Sequence, residues 1–157
     1  MKLIDISTPK HPNTFAKVDD FDFNILDEHK WFLQNGYACT KIHGRNAYMH
    51  RLIMTHPKGW EVDHKSRDKL NNCRDNLRIC SRGENSRNTD KYKSKGISKS
   101  KGVWWSDNKK RFRARIQNNG AVIFLGWFRS ESEAAEAYNR AAEKYHLEFA
   151  KLNNIGA

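Results

Sequence analysis

Residues 61–85 read EVDHKSRDKLNNCRDNLRICSRGEN, and the spacing inside this stretch decides the fold. Asp63 and His64 are adjacent at the end of a short apolar run. Asn76 follows His64 by twelve residues and Asn85 follows nine later; around them stand four asparagines in all and six Lys or Arg. Little here could fill a core, and a plain surface loop has no use for such spacing. Hydrolysis of a phosphodiester needs an activated water, relief of charge on the phosphate and a stabilised leaving oxygen. Imidazole serves as a base near neutral pH. One hard cation held by carboxylate and amide oxygens meets the other two needs. On a strand, neighbours face opposite ways, so Asp63 reaches a metal on the helix side only if the strand end twists.

The flanks give this stretch a setting. Trp60-Glu61-Val62 reads as a strand entering Asp63-His64, and Asn76-Leu77-Arg78-Ile79-Cys80 as its partner. Ser81-Arg82-Gly83-Glu84 has the S-x-x-E pattern of a capping box, which starts a helix at Arg82 with Asn85 in its first turns. Upstream, residues 15–33 predict a small cap of strand and helix turns. Residues 36–42 predict a strand, His43 to Asn46 a turn and Ala47-Tyr48-Met49 the return of a hairpin. His50 to Met54 reads as one or two helical turns stopped before Pro57. His50 is expected to pack or bond backbone rather than to ligate. Asn71 and Asn72 read as turn residues. Arg74 and Arg78 are candidates to clamp phosphate, with a solvated basic face as the alternative.

Composition narrows the partners. The chain has 157 residues, 38% of them hydrophobic, and a formal net charge of +11. The charge is uneven: residues 1–49 are net 0, 50–101 net +8, 102–128 net +4 and 129–157 net −1. A polyanion held against the middle of the chain accounts for that segregation. No apolar run nears the roughly 20 residues of a membrane span, and MKLIDISTPKHP lacks the apolar core of a signal peptide. Cys39, Cys73 and Cys80 are odd in number and form no CxxC pair, which argues against a disulfide framework or structural zinc and for a reducing cytoplasm.

Residues 86–101, SRNTDKYKSKGISKSK, read as a flexible basic linker in which Lys91, Lys93 and Lys95 would sit near phosphates. Beyond it, Val103-Trp104-Trp105, Arg111 to Gln117 and Ala121 to Phe128 are three strand-like runs parted by turn signals. Ser130 is an N-cap candidate for a long Ala- and Glu-rich helix whose stripe comprises Ala134, Ala137, Tyr138, Ala141 and Tyr145. In the second run, period 2 puts Arg111, Arg113 and Arg115 on one face and Phe112, Ala114 and Ile116 on the other. The apolar face must meet the helix, so the arginines face outward, where a sheet can present them to phosphates and guanine edges.

Two resemblances follow. Val62-Asp63-His64, Leu70-Asn71-Asn72-Cys73-Arg74-Asp75-Asn76-Leu77-Arg78 and Glu84-Asn85, with the lead-in Tyr48 to Met54, resemble the HNH nuclease family of phage and intron-encoded homing endonucleases over roughly residues 30–90. The resemblance implies a ββα-metal fold, His64 as general base, Asp63 and Asn85 as metal ligands, and Asn76 bracing the loop and orienting His64. The motif's third letter is Asn here rather than His, which favours a single Mg²⁺ or Mn²⁺. Gly102-Val103-Trp104-Trp105, Arg113 to Ile116, Leu125 to Phe128, Glu133 to Tyr138, Ala141-Ala142 and Asn153 are similar to the plant APETALA/ethylene-response-factor DNA-binding domain over residues 101–153. That likeness implies base and backbone contacts from Trp104, Arg111, Arg113, Arg115 and Phe124. The plant pattern has Arg at Trp104 and Trp at Phe124, so its base preference does not carry over. Trp105, Trp127 and Phe128 read as core or edge packing.

The expectation is therefore an α+β chain: a ββα-metal nuclease domain with an N-terminal cap over 1–85, a basic linker over 86–101, and a three-stranded antiparallel sheet on one helix over 102–153. It would cut double-stranded DNA as a cytoplasmic monomer with one divalent cation, no small-molecule cofactor and no membrane partner. A non-catalytic DNA-binding regulator that uses the nuclease fold as a second clamp is the rival, and an RNA-binding protein a weaker one.

Overall fold

The computed structural model describes residues 1–90 and 97–155. The chain divides into two compact units, residues 1–82 and 83–157, each mixing helix with small antiparallel sheets.

The first unit opens with a two-stranded ribbon, β1 (Lys2–Asp5) against β2 (Phe15–Val18), followed by α1 (Asp20–Asp27). A three-stranded meander follows: β3 (Phe32–Gln34), β4 (Tyr37–Ile42) and β5 (Arg45–Tyr48). Its turns are Asn35-Gly36 and His43-Gly44, all four at positive φ, the backbone of a two-residue hairpin turn that follows the strand twist. The short helix α2 (Met49–Ile53) leads on to β6 (Glu61–His64), which pairs with β7 (Leu77–Cys80). Ile4, Ile6, Ala16, Val18, Leu26, Trp31, Ala38, Met49, Ile53, Val62 and Leu77 form one core. Alternation drives it: Ala16 and Val18 face in while Phe15 and Lys17 face out. The Trp31 indole N–H donates to the Leu26 carbonyl at 2.7 Å, which satisfies the buried polar end of that side chain. Cys39, Cys73 and Cys80 are buried free thiols. Asn76 falls in a 3₁₀ turn, Arg74–Asn76, just before the strand it was expected to begin.

The helix α3 (Arg82–Arg87) starts at the residue expected from the S-x-x-E pattern. In the second unit β8 (Val103–Ser106), β9 (Arg111–Asn118) and β10 (Ala121–Phe128) form an antiparallel sheet in the order β10-β9-β8. Its one long helix, α4 (Glu131–His146), begins with a full capping box: Ser130 Oγ accepts from the Glu133 N–H, and the Glu133 carboxylate accepts from the Ser130 N–H. The buried stripe of α4 is Ala134, Ala135, Tyr138, Ala141, Ala142 and His146. It is rotated from the expected one, for Ala137 and Tyr145 are only half-buried. Ala134 and Ala135 pack with Val103 and Ala114, and Tyr138, Ala141 and Ala142 with Ile116.

The described ends of the basic segment are tied down. Glu131 Oε1 accepts from the Ser98 hydroxyl, the Lys99 and Ser100 N–H groups and the Ser100 hydroxyl, at 2.7 to 3.0 Å. Asn153 clamps Lys101 by both amide atoms, accepting its N–H at 2.6 Å and donating to its carbonyl at 3.0 Å. Asn139 in α4 holds Asn153 in the same reciprocal way.

Candidate active site and nucleic-acid interface

The β6–β7 register puts Asp63 opposite Arg78 and His64 opposite Leu77. Adjacent side chains leave a strand on opposite faces, and the two residues accordingly have different company. Asp63 is 8% exposed, and its Oδ2 accepts from Arg78 Nε at 3.0 Å and Nη2 at 2.7 Å. Arg78 is equally buried. Its guanidinium is thus committed to the hairpin and balances a buried carboxylate, which is a different occupation from a phosphate clamp. Arg74 is likewise engaged within the fold. Its fork meets both oxygens of Asp22 at 2.9 and 2.8 Å, its N–H donates to Asp19, and its guanidinium lies over the Phe21 ring.

His64 is 4% exposed and sits in a nest of rings. His50 meets it edge-on at 4.9 Å and Tyr37 at 5.8 Å between ring centroids. Tyr48 stacks on His50 at 5.8 Å, and the Lys69 ammonium lies 4.2 Å over Tyr37. His50 does pack, as expected of it, and burial pushes its pKa down to about 3. Its Nδ1 is buried without a hydrogen-bond partner.

The partner of His64 is Asn72, a residue the sequence suggested only as part of a turn. Asn72 is fully buried, and its Oδ1 lies 3.2 Å from His64 Nε2. The orientation of its amide is set from the other side, since Nδ2 donates to the Leu70 carbonyl at 3.2 Å. With the oxygen turned toward the ring, His64 donates from Nε2 and the neutral imidazole carries its lone pair on Nδ1. Burial lowers the His64 pKa, opposed by the bond to Asn72 and by Asp63 and Asp68, so the ring is neutral at physiological pH.

Asn76 braces the loop: its Oδ1 accepts from the Ser66 N–H at 3.0 Å and its Nδ2 donates to the Asn71 carbonyl at 2.7 Å. The orienting role expected of Asn76 falls geometrically to Asn72. The loop is also stapled to β2, where Lys17 donates to the Leu70 carbonyl and accepts from the Asn72 N–H, each at 2.8 Å. The only advance signal for Asn72 was an amide eight residues past His64, and turn chemistry explains that equally well.

Among the described residues, no three His, Cys, Asp or Glu side chains gather as a metal cage. Asp63 is the one carboxylate of the expected ligand set, and it is buried. That set suits Mg²⁺ or Mn²⁺, since Mg²⁺ takes one or two carboxylates and keeps several of its waters. Asn85 is half-buried within α3.

On the second unit Trp104, Arg113 and Arg115 come together: the Arg115 guanidinium lies 4.4 Å and that of Arg113 6.0 Å from the Trp104 ring centroid. Arg111 is exposed at the start of β9. Phe124 is exposed on the same face, paired across strands with Arg115. Phe128 packs in the core as expected, but Trp127 turns outward. The advance signal was Gly126, since an isolated Gly inside a strand pattern marks a bulge. Lys91, Lys93 and Lys95 lie outside the described residues.

Comparison with known proteins places this geometry. Residues 47–87 match the HNH endonuclease family model. An uncharacterized HNH endonuclease of Acanthamoeba polyphaga mimivirus is 33% identical over 150 residues, which cover 90% of this chain and 76% of that protein. The chain belongs to the HNH endonuclease family, and membership implies nuclease activity on DNA. No helix among the described residues is long and apolar enough to cross a membrane.

Proposed function

We propose that this protein is a homing-type DNA endonuclease that hydrolyses a phosphodiester bond with one Mg²⁺ or Mn²⁺, while the β8–β10 sheet reads the duplex target. The observation that carries the reading is the buried pairing of His64 Nε2 with Asn72 Oδ1 at 3.2 Å. Asn72 holds Nε2–H, so Nδ1 takes the proton from the attacking water. The surrounding rings keep bulk water from His64 and preserve its neutral form. Asp63, with Asn85 named by resemblance, would hold the cation, whose part is to offset charge on the phosphate and the leaving oxygen. Arg78 holds the Asp63 carboxylate in place through two hydrogen bonds. Asn76 holds the loop that carries Asn72. The nuclease part spans residues 1–85 and the DNA-reading part 102–153, joined by a basic segment whose lysines neutralise phosphates. Trp104, Arg111, Arg113, Arg115 and Phe124 make the sheet's contacts, supported by their shared face and by the net charge of +4 over 102–128.

One observation favours the rival, a non-catalytic DNA clamp: Asp63 Oδ2 already accepts two bonds from Arg78. Purified protein with supercoiled plasmid separates the two. Nicking or linearisation in Mg²⁺ or Mn²⁺, abolished by chelator and by His64→Ala, supports the endonuclease. DNA binding with no cleavage in either ion supports the clamp.

A further inference from the structure

The outward face of the second unit carries an apolar feature that phosphate binding alone does not explain. In a regular strand Phe124, Gly126 and Phe128 would share a face. Here the pairing of β10 with β9 slips between Phe124 and Gly126: Phe124 stands opposite Arg115, Gly126 opposite Ala114 and Trp127 opposite Arg113. An extra residue on one strand is a bulge, and bulges re-aim side chains. Gly126 carries it at φ +136°, a conformation that L side chains rarely adopt. Leu125 and Phe128 drop into the core, while Phe124 and Trp127 both emerge on the arginine face.

The result is a pair of large rings on a cationic surface. Phe124 is 55% and Trp127 39% exposed, and their rings meet edge-on at 5.8 Å. Arg113 and Arg115 on the central strand run between this pair and Trp104 on β8. Exposed aromatics grouped in this way mark an interaction site. The arginines specify a polyanion, and the major groove of duplex DNA offers one apolar group, the thymine 5-methyl. We propose that Phe124 and Trp127 dock on pyrimidine 5-methyl groups in the major groove, so that this sheet selects thymine-bearing sites. The proposal rests on the reading of the sheet as the DNA-binding face.

The test uses the full chain in chelator, where no cutting is expected, and binding to matched duplexes: alternating A·T against alternating A·U, and G·C duplexes with cytosine against 5-methylcytosine. Removing a methyl from water contributes about fourfold in affinity, and two such contacts about fifteenfold. The wild type should bind the methyl-bearing duplex about fourfold to fifteenfold tighter in both pairs. Phe124→Ser with Trp127→Ser should weaken binding to the methyl-bearing duplexes most and so level that preference. Equal binding by the wild type within both pairs overturns the methyl contact and leaves the DNA reading standing. Binding to none of the duplexes overturns the DNA reading itself. Tighter binding to single strands than to any duplex overturns the proposal in favour of base stacking on the two rings. The methyl comparison needs no variant, so a misfolded variant does not weaken it.

Discussion

Replacing Asn72 by Ala tests the origin of the His64 tautomer. In the wild type Asn72 Oδ1 meets His64 Nε2 at 3.2 Å and its Nδ2 meets the Leu70 carbonyl at 3.2 Å, in a fully buried setting. The substitution leaves a buried imidazole N–H without this bond, at about 1–3 kcal/mol, while the Leu70 carbonyl still accepts from the Lys17 N–H. The unit should therefore lose about 1–3 kcal/mol of stability, the lower end if a water fills the space. The catalytic effect is separate. A neutral hydrogen bond of this kind favours one ring orientation and tautomer by about 1 kcal/mol, so cleavage should fall about fivefold to tenfold. His64→Ala, which removes the base, should cost about 10² to 10⁴. The assay is plasmid nicking in Mg²⁺, below the melting temperature of every variant, run as a double-mutant cycle. If Asn72 acts through His64, Asn72→Ala should change the residual rate of His64→Ala by less than about twofold, since coupled residues are non-additive. An unchanged rate in Asn72→Ala, or an undiminished loss in the His64→Ala background, refutes the reasoning.

Other outcomes follow from the same geometry. Arg78→Met strips Asp63 of both its Arg78 bonds and should destabilise the protein by about 3–5 kcal/mol, with Asp63→Asn in addition restoring part of the loss; thermal unfolding reads both. Gly102→Ala should cost at least about 3 kcal/mol and lose the cooperative melting of the second unit. Its φ is +75°, and an added Cβ would lie 1.9 Å from Tyr138 Cδ2 and 2.8 Å from the Arg115 carbonyl. Acid should destabilise the fold from about pH 6.5 downward. Burial lowers the pKa of His50, to about 3, and also that of His146, whose Nε2–H donates to the Gln117 carbonyl at 2.8 Å. The unfolded chain takes up these protons near the ordinary histidine value and the folded chain does not, so stability is full above that value and declines as pH falls. A melting temperature flat from pH 7 to about pH 4.5 would contradict this.

Much of the backbone was legible from the sequence alone. Strand alternation, positive-φ turn residues and the Ser130 cap act over a few residues, so they located the β4–β5 and β9–β10 hairpins and the starts of α3 and α4 to within a residue or two. The twelve residues from His64 to Asn76 span the loop between β6 and β7, and Asn85 falls in the helix expected to follow. The tertiary structure alone decided which partner each polar group takes. An amide in a loop serves a turn or a buried network equally well, and Asn72 rather than Asn76 meets His64 because β2 staples the loop at Leu70 and Asn72. An arginine two residues from an asparagine reads as a phosphate clamp or as surface charge until strand register sets Arg78 against Asp63. Trp127 reads as core or edge packing until one extra residue at a glycine reverses the alternation of β10. In each case burial and strand register, which act between elements, choose among chemically equivalent partners.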